Sequence, residues 1–222
     1  PYYLELELQK ALGSDFVSLF AAGTCGDINH IDVAHDHPQK GGAEAERIGT
    51  VLAKTIKDEL SRLEHVESTG LSVRSTTVQA PLQQYTEEQI AQARQDMHKI
   101  GTRELPFLKQ VEAYKIMALQ LLDGPNLPME VQVFRLSDDL AIVGLPGEIF
   151  VEFGLAIKKA SPFKTTLVIE LCNDAPGYVP TTKAFEEGSY ETVNSRVQSG
   201  GGEMLVEAAV KLLKELKGKN DK

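Results

Sequence analysis

Apolar residues recur at helical spacing in some stretches of this chain and run together or alternate in others. Leu4, Leu8, Ala11 and Leu12 mark a first helix, which Gly13 is placed to end. Phe16-Val17-Ser18-Leu19-Phe20-Ala21 is a short apolar run rich in strand formers, broken at Gly23-Thr24-Cys25-Gly26-Asp27. Positions 29–42 have no period and read as a loop. Ile48, Leu52, Ile56, Leu60 and Leu63 then predict a helix with one apolar side. Positions 71–82 alternate weakly and predict a strand, with Pro81 arguing for an edge. Thr86 and Gln89 form a capping-box pattern for a polar helix near 87–99. A second helix near 107–122 carries Leu108, Val111, Lys115 and Leu119 along one side, and Gly124-Pro125 stops it. Positions 131–136 and 140–145 flank the tight turn Ser137-Asp138-Asp139 and read as a hairpin. The second of these strands is apolar throughout, which predicts burial on both faces. A helix is predicted from Glu148, with Ile149, Phe153 and Ile157 turned inward, and a further buried strand at 166–172. Gly200-Gly201-Gly202 precedes a last helix near 202–217. Strands and helices in this order predict an α/β fold, a single domain with a mixed β-sheet flanked by helices.

Two segments put chemistry at strand ends, where ligands gather in open α/β sheets. Leu145-Pro146-Gly147-Glu148 closes a buried run. Asn173-Asp174-Ala175-Pro176-Gly177-Tyr178-Val179-Pro180-Thr181-Thr182 leaves another strand, and Tyr190-Glu191 follows. A Glu in a first helical turn ordinarily compensates the helix dipole. The Pro-Gly turn before Glu148 argues further, because Gly lets another group approach the backbone closely. A carboxylate from Glu148 and a phenol from Tyr178 converging there could share a metal ion. Taken singly, Tyr178 and Tyr190 are ordinary packing residues with wet hydroxyls, and Thr181 and Thr182 are turn residues.

The net charge of −9, from 23 basic and 32 acidic residues, argues against nucleic acid and anionic membrane as partners. No apolar run reaches the ~20 residues of a membrane span. With 222 residues the chain needs neither disulfide nor metal to fold. Cys25 and Cys172 end apolar runs as small buried thiols do, and their spacing leaves a disulfide open. Opening at Pro1 with no Met, the chain reads as the later part of a longer polypeptide. Lys211 to Lys222 reads as a solvated helix end and tail.

Gly26-Asp27-Ile28-Asn29-His30 follows a strand end, and Asp27 there is suited to accept hydrogen bonds from loop backbone. His30, His35 and His37 lie in one loop, which offers no fixed spacing to preorganise a zinc site. HExxH, GxSxG, P-loop and GxGxxG patterns are absent.

With Pro146-Gly147-Glu148, Asn173 five residues before Tyr178, and Tyr190-Glu191 twelve residues after it, the chain resembles the catalytic domain of the neutral/alkaline (non-lysosomal) ceramidase family. Gly26-Asp27 is similar to that family's Gly-Asp-x-Ser-Pro-Asn motif, so the resemblance runs from about Phe16 to about Thr192. It implies one zinc ion held by two His, one Glu and one Tyr, with Glu148 and Tyr178 as the Glu and Tyr. Tyr190 then corresponds to the transition-state-stabilising Tyr. The family's two His ligands lie upstream of the Gly-Asp motif and have no counterpart here. Residues 1–222 would thus be the C-terminal part of such a catalytic domain, with half of the metal site. The chain departs from the pattern at Asn29 and His30, where the family has Ser and Pro, and at Phe185, where it has Tyr. A family immunoglobulin-like domain is also missing, so the chain reads as a shorter, divergent relative.

The resemblance implies a zinc-dependent hydrolase of N-acyl amide bonds acting on a small or lipid-like amide, and a secreted or periplasmic location. The loop residues Asp27, Asn29 and His30 are further site candidates. A non-catalytic ligand-binding domain on the same scaffold is the rival, motivated by the altered Gly-Asp motif. A different hydrolase built on the His30, His35 and His37 loop is a third reading.

Overall fold

The computed structural model describes residues 1–67 and 70–218. They pack as two compact units, 1–21 with 29–67, and 22–28 with 68 onward. No shift in composition marks the division.

In the smaller unit, α1 (Tyr2–Leu12) packs on α2 (Gly42–Glu59) through Leu4, Leu8 and Ala53, with Phe16 alongside. The helices approach closely at Gly49, where a Cβ would lie 2.6 Å from the Tyr3 Cβ. This contact uses a different stripe from the one the apolar spacing predicts. Leu52, Ile56 and Leu63 are exposed, because small residues, not large ones, set the α1–α2 distance. The strand predicted at 16–21 does not form. Val17 and Leu19 are 71% and 97% exposed, and strand formers without a ladder partner stay irregular.

The larger unit is built on a four-stranded mixed sheet, as the alternation of elements predicts. Its strands are β1 (Ser72–Pro81), β2 (Asn126–Arg135), β3 (Leu140–Gly144) and β5 (Thr165–Ile169), in that spatial order. β1 pairs β2 antiparallel from Ser72↔Arg135 to Pro81↔Asn126, so Pro81 lies on an edge strand as expected. β2 pairs β3 antiparallel and β3 pairs β5 parallel. Between β1 and β2 come α3 (Glu87–Asp96) and α4 (Phe107–Leu119). The capping box of α3 forms: Gln89 N donates to Thr86 Oγ1 and Thr86 N to Gln89 Oε1, at 3.3 and 2.9 Å.

Two short strands, β4 (Glu148–Ile149) and β6 (Tyr178–Val179), form a second sheet. The helix predicted from Glu148 begins three residues later, as α5 (Val151–Ala160). Gly147 at φ 87° turns the chain out of β3, and Glu148 is then held extended by β6. Three helices follow β6: α6 (Thr182–Glu187), α7 (Tyr190–Asn194) and α8 (Gly201–Lys217).

The core lies where α8 and α5 cover one face of the large sheet. Val78, Ala80, Met129, Val131, Val133, Ala141 and Val143 meet Leu205, Ala209, Leu212, Leu213, Phe153 and Ile157. β3 and β5 are therefore buried on one face only, not on both. Leu167 is 47% exposed and Ile142 only half-buried, since the apolar residues on the other face hide the alternation. Residues 219–222 of the expected basic tail lie outside the described residues.

Candidate active site

β4 and β6 place Glu148 and Tyr178 directly opposite each other as parallel strand partners. Side chains opposite one another in a ladder share a face, so a carboxylate and a phenol thirty positions apart in sequence meet here. Three backbone hydrogen bonds tie the strand ends: Gly147 N to Asp174 O (3.1 Å), Glu148 N to Gly177 O (2.9 Å) and Phe150 N to Val179 O (3.3 Å). Only glycine suits position 147. Its φ is positive, and a Cβ there would lie 2.7 Å from the Gly177 carbonyl oxygen. Burial, the facing Glu148 carboxylate and the hydrogen bond between the two push the Tyr178 phenol up to about 12.

Tyr190, the first residue of α7, stands edge-on to Tyr178, with ring centroids 5.7 Å apart and planes at 74°. Its other neighbour is Phe107 at the start of α4, stacked at 5.8 Å and 18°. Asn194, one helical turn on, donates through Nδ2 to the Tyr190 hydroxyl oxygen at 3.2 Å. That acceptance leaves the Tyr190 proton free to be donated elsewhere. Phe107 is itself 67% exposed, an apolar wall beside the two phenols.

The Gly26-Asp27 segment lies against β4. Gly26 N donates to Ile149 O at 2.8 Å, and a Cβ on Gly26 would fall 2.4 Å from the Glu148 carbonyl oxygen. Asp27 Oδ1 accepts from Val151 N at 2.7 Å. Asp27 therefore satisfies the first N–H of α5, the position the sequence assigns to Glu148, and does so across the fold and not within its own loop.

Glu170, just past β5, is a residue the pattern did not flag. It is buried. Its Oε2 accepts from Cys25 N (3.0 Å) and Ile149 N (2.9 Å), and its Oε1 from Cys25 Sγ (2.9 Å). The hydrogen bond to Glu170 and burial push the Cys25 thiol up to about 11, with Glu148 and Asp27 adding to the effect. Cys25 and Cys172 are both free thiols. The Tyr190–Asn194 pair could have been read from its four-residue spacing. Glu170 could have been suspected as a carboxylate ending an apolar run.

Asn29 and His30 belong to the smaller unit and bond locally there. Asn29 Oδ1 accepts from Ile31 N at 3.0 Å, and His30 Nε2 lies 2.8 Å from Gln39 O. His35 pairs with Asp32 at 2.7 Å. Among the described residues no group of three or more His, Cys, Asp and Glu side chains is arranged to hold a metal ion. No described helix is long and apolar enough to cross a membrane.

No family model matches the sequence, and no curated protein does. Solved structures do match the fold. Neutral ceramidase from Pseudomonas aeruginosa superimposes on 98% of this chain with a TM-score of 0.64 at 16% identity. A ceramidase complexed with C2 covers 80% of it with a TM-score of 0.52 at 14% identity. The chain spans 40% and 35% of those two proteins' lengths. At such identities the likeness is one of fold.

Proposed function

We propose that this chain supplies half of the metal site of a zinc-dependent hydrolase of N-acyl amide bonds, with Glu148 and Tyr178 as ligands. The observation that carries the reading is the direct pairing of these two residues across β4 and β6, with Tyr190 edge-on to Tyr178.

The donor set fits a divalent cation. A carboxylate and a phenol offer oxygen donors of the kind zinc accepts. The charged groups acting on Tyr178 and Cys25 are Glu148, Glu191, Glu170 and Asp27, all of one sign. Glu148 and Tyr178 would be two of the four ligands that the resemblance implies; among the described residues no group of three or more His, Cys, Asp and Glu side chains is arranged around them to complete the set. When bound, zinc would lower the pKa of a coordinated water to about 7 and polarise the scissile carbonyl.

The chain's own residues do the remaining work. Glu148 and Tyr178 are held in register on one face by paired backbone. Tyr190, its oxygen already accepting from Asn194, donates its proton as a hydrogen bond to the oxyanion of the tetrahedral intermediate. Removing one donor of this kind costs about 3 kcal/mol of transition-state stabilisation. Phe107, exposed beside Tyr190, offers an apolar surface for a hydrocarbon part of the amide substrate.

The test is zinc content and N-acyl amide hydrolysis of the complete gene product beside its Glu148→Ala variant. About one zinc per chain and measurable hydrolysis, both lost in the variant, are expected. Hydrolysis surviving in the variant at near wild-type rate refutes the reading. No zinc in either protein favours the non-catalytic ligand-binding domain.

A further inference from the structure

We infer that Gln83, oriented by Lys115, is a positioning residue that holds Tyr190 against Tyr178. The inference rests on the reading of Tyr190 as the oxyanion donor.

Lys115 lies on α4 and is buried, yet its Nζ is satisfied. It donates to Gln83 Oε1 at 2.9 Å and to the Tyr85 hydroxyl. Tyr85 in turn donates to the same Gln83 Oε1 at 2.6 Å. Two donors on one oxygen fix which way the Gln83 amide faces, because an ammonium has no acceptor to offer a flipped NH₂. The Nε2 end is thereby aimed at three backbone carbonyls: Ser195 at 2.9 Å, and Thr192 and Val197 at 3.3 Å each.

Those carbonyls belong to the last turn of α7 and the segment leaving it. The same segment is laid along β1's exit by Gln83 N to Arg196 O (2.9 Å) and Gln198 N to Pro81 O (3.0 Å). Ser195 is the node. It is wholly buried, its carbonyl accepts from Gln83, and its hydroxyl donates to the Tyr178 carbonyl at 2.9 Å. One residue thus ties the backbone that carries Tyr190 to the backbone that carries Tyr178. A five-residue helix cannot hold such a position by its own hydrogen bonds. The amide of Gln83 supplies the missing constraint, and Lys115 sets its direction.

The experiment uses the full chain with ring-labelled tyrosine. Its six tyrosine signals can be assigned by single Tyr→Phe changes. Gln83→Glu keeps the acceptor for Lys115 but presents an oxygen where three carbonyls need a donor. The expected result is displaced or broadened Tyr190 and Tyr178 signals, unchanged Tyr2 and Tyr3 signals, and amide exchange at 190–197 at least tenfold faster. In the complete gene product carrying the same change, kcat on an N-acyl amide falls roughly tenfold or more with KM nearly unchanged, as for a misplaced catalytic group. Lys115→Met, which frees the Gln83 amide to turn, is expected to move the same two signals less far. It serves if the glutamate variant does not fold. Unmoved Tyr190 and unchanged exchange, with the Tyr85 signal shifted, overturn the inference. A complete gene product without hydrolytic activity sinks the functional reading alone, since the ring signals and exchange still decide the positioning.

Discussion

Replacing Lys115 by methionine and measuring unfolding free energy across pH tests the buried ammonium directly. Burial draws the Lys115 pKa down from 10.5 to about 8, with Glu112 opposing the shift weakly. Below pH 8 both the folded and unfolded chains carry the proton. Between about 8 and 10.5 the unfolded chain binds a proton that the folded chain does not, so stability rises with pH through this window. This is the reverse of a salt-bridged lysine. The full shift corresponds to about 3 kcal/mol, and partial solvation of the ammonium brings the expected amplitude to about 2 kcal/mol. Tyr85, pushed by burial from 10.0 to about 12, acts in the opposite sense. Its phenol stays protonated in the fold, so stability is lost as pH rises above 10, and the useful range ends there. The assay is urea unfolding of both proteins at intervals from pH 7 to pH 10. Wild-type stability minus variant stability is expected to grow by about 2 kcal/mol across that range. A difference that stays flat, or shrinks, refutes the reasoning, because it would mean that Lys115 keeps an ordinary ammonium in contact with water.

Two variants test the packing around β4. Gly26→Ala drives a Cβ to 2.4 Å from the Glu148 carbonyl oxygen, so it should cost about 1–3 kcal/mol in urea unfolding; an unchanged midpoint contradicts the close approach. Glu170→Ala strands the N–H groups of Ile149 and Cys25 and should cost roughly 3 kcal/mol. The same change releases the Cys25 thiol from its value of about 11, so its reaction with a disulfide reagent near pH 8 should quicken by roughly tenfold or more, and an unchanged rate denies Glu170 that hold.

What could be read in the sequence was local or periodic. The capping box at Thr86 and Gln89 is written within four residues and formed as read. The order of strands and helices carried the mixed sheet. The twelve-residue step from Tyr178 to Tyr190 marked two residues that do meet. What could not be read depends on partners far along the chain. Glu148 looked like a helix start until β6, thirty positions on, held it extended. Asp27 takes the capping role from a distance of 124 residues, and Glu170 bonds to Cys25 across 145. No window of local propensity contains those pairs. The strand expected at 16–21 failed for the same reason from the other side, since its β-forming residues found no ladder to join.

These long-range bonds explain how the site exists at all. β4 and β6 are two residues each, far below the length at which a strand pair holds itself together. Their register must therefore be imposed from outside. Glu170 fixes β4 through Ile149 N, Gly26 fixes it again through Ile149 O, and Ser195 fixes β6 through Tyr178 O. Each anchor grips backbone and leaves the side chains of Glu148 and Tyr178 uncommitted to the tether. Apolar packing could bury such short strands, but it would set their register only loosely, because one residue of slip turns every side chain to the opposite face. Hydrogen bonds from buried side chains to named backbone atoms do not tolerate that slip. The buried Glu170 and Ser195, with the half-buried Gln83, are then best understood as the means by which two oxygen-bearing side chains are kept on one face.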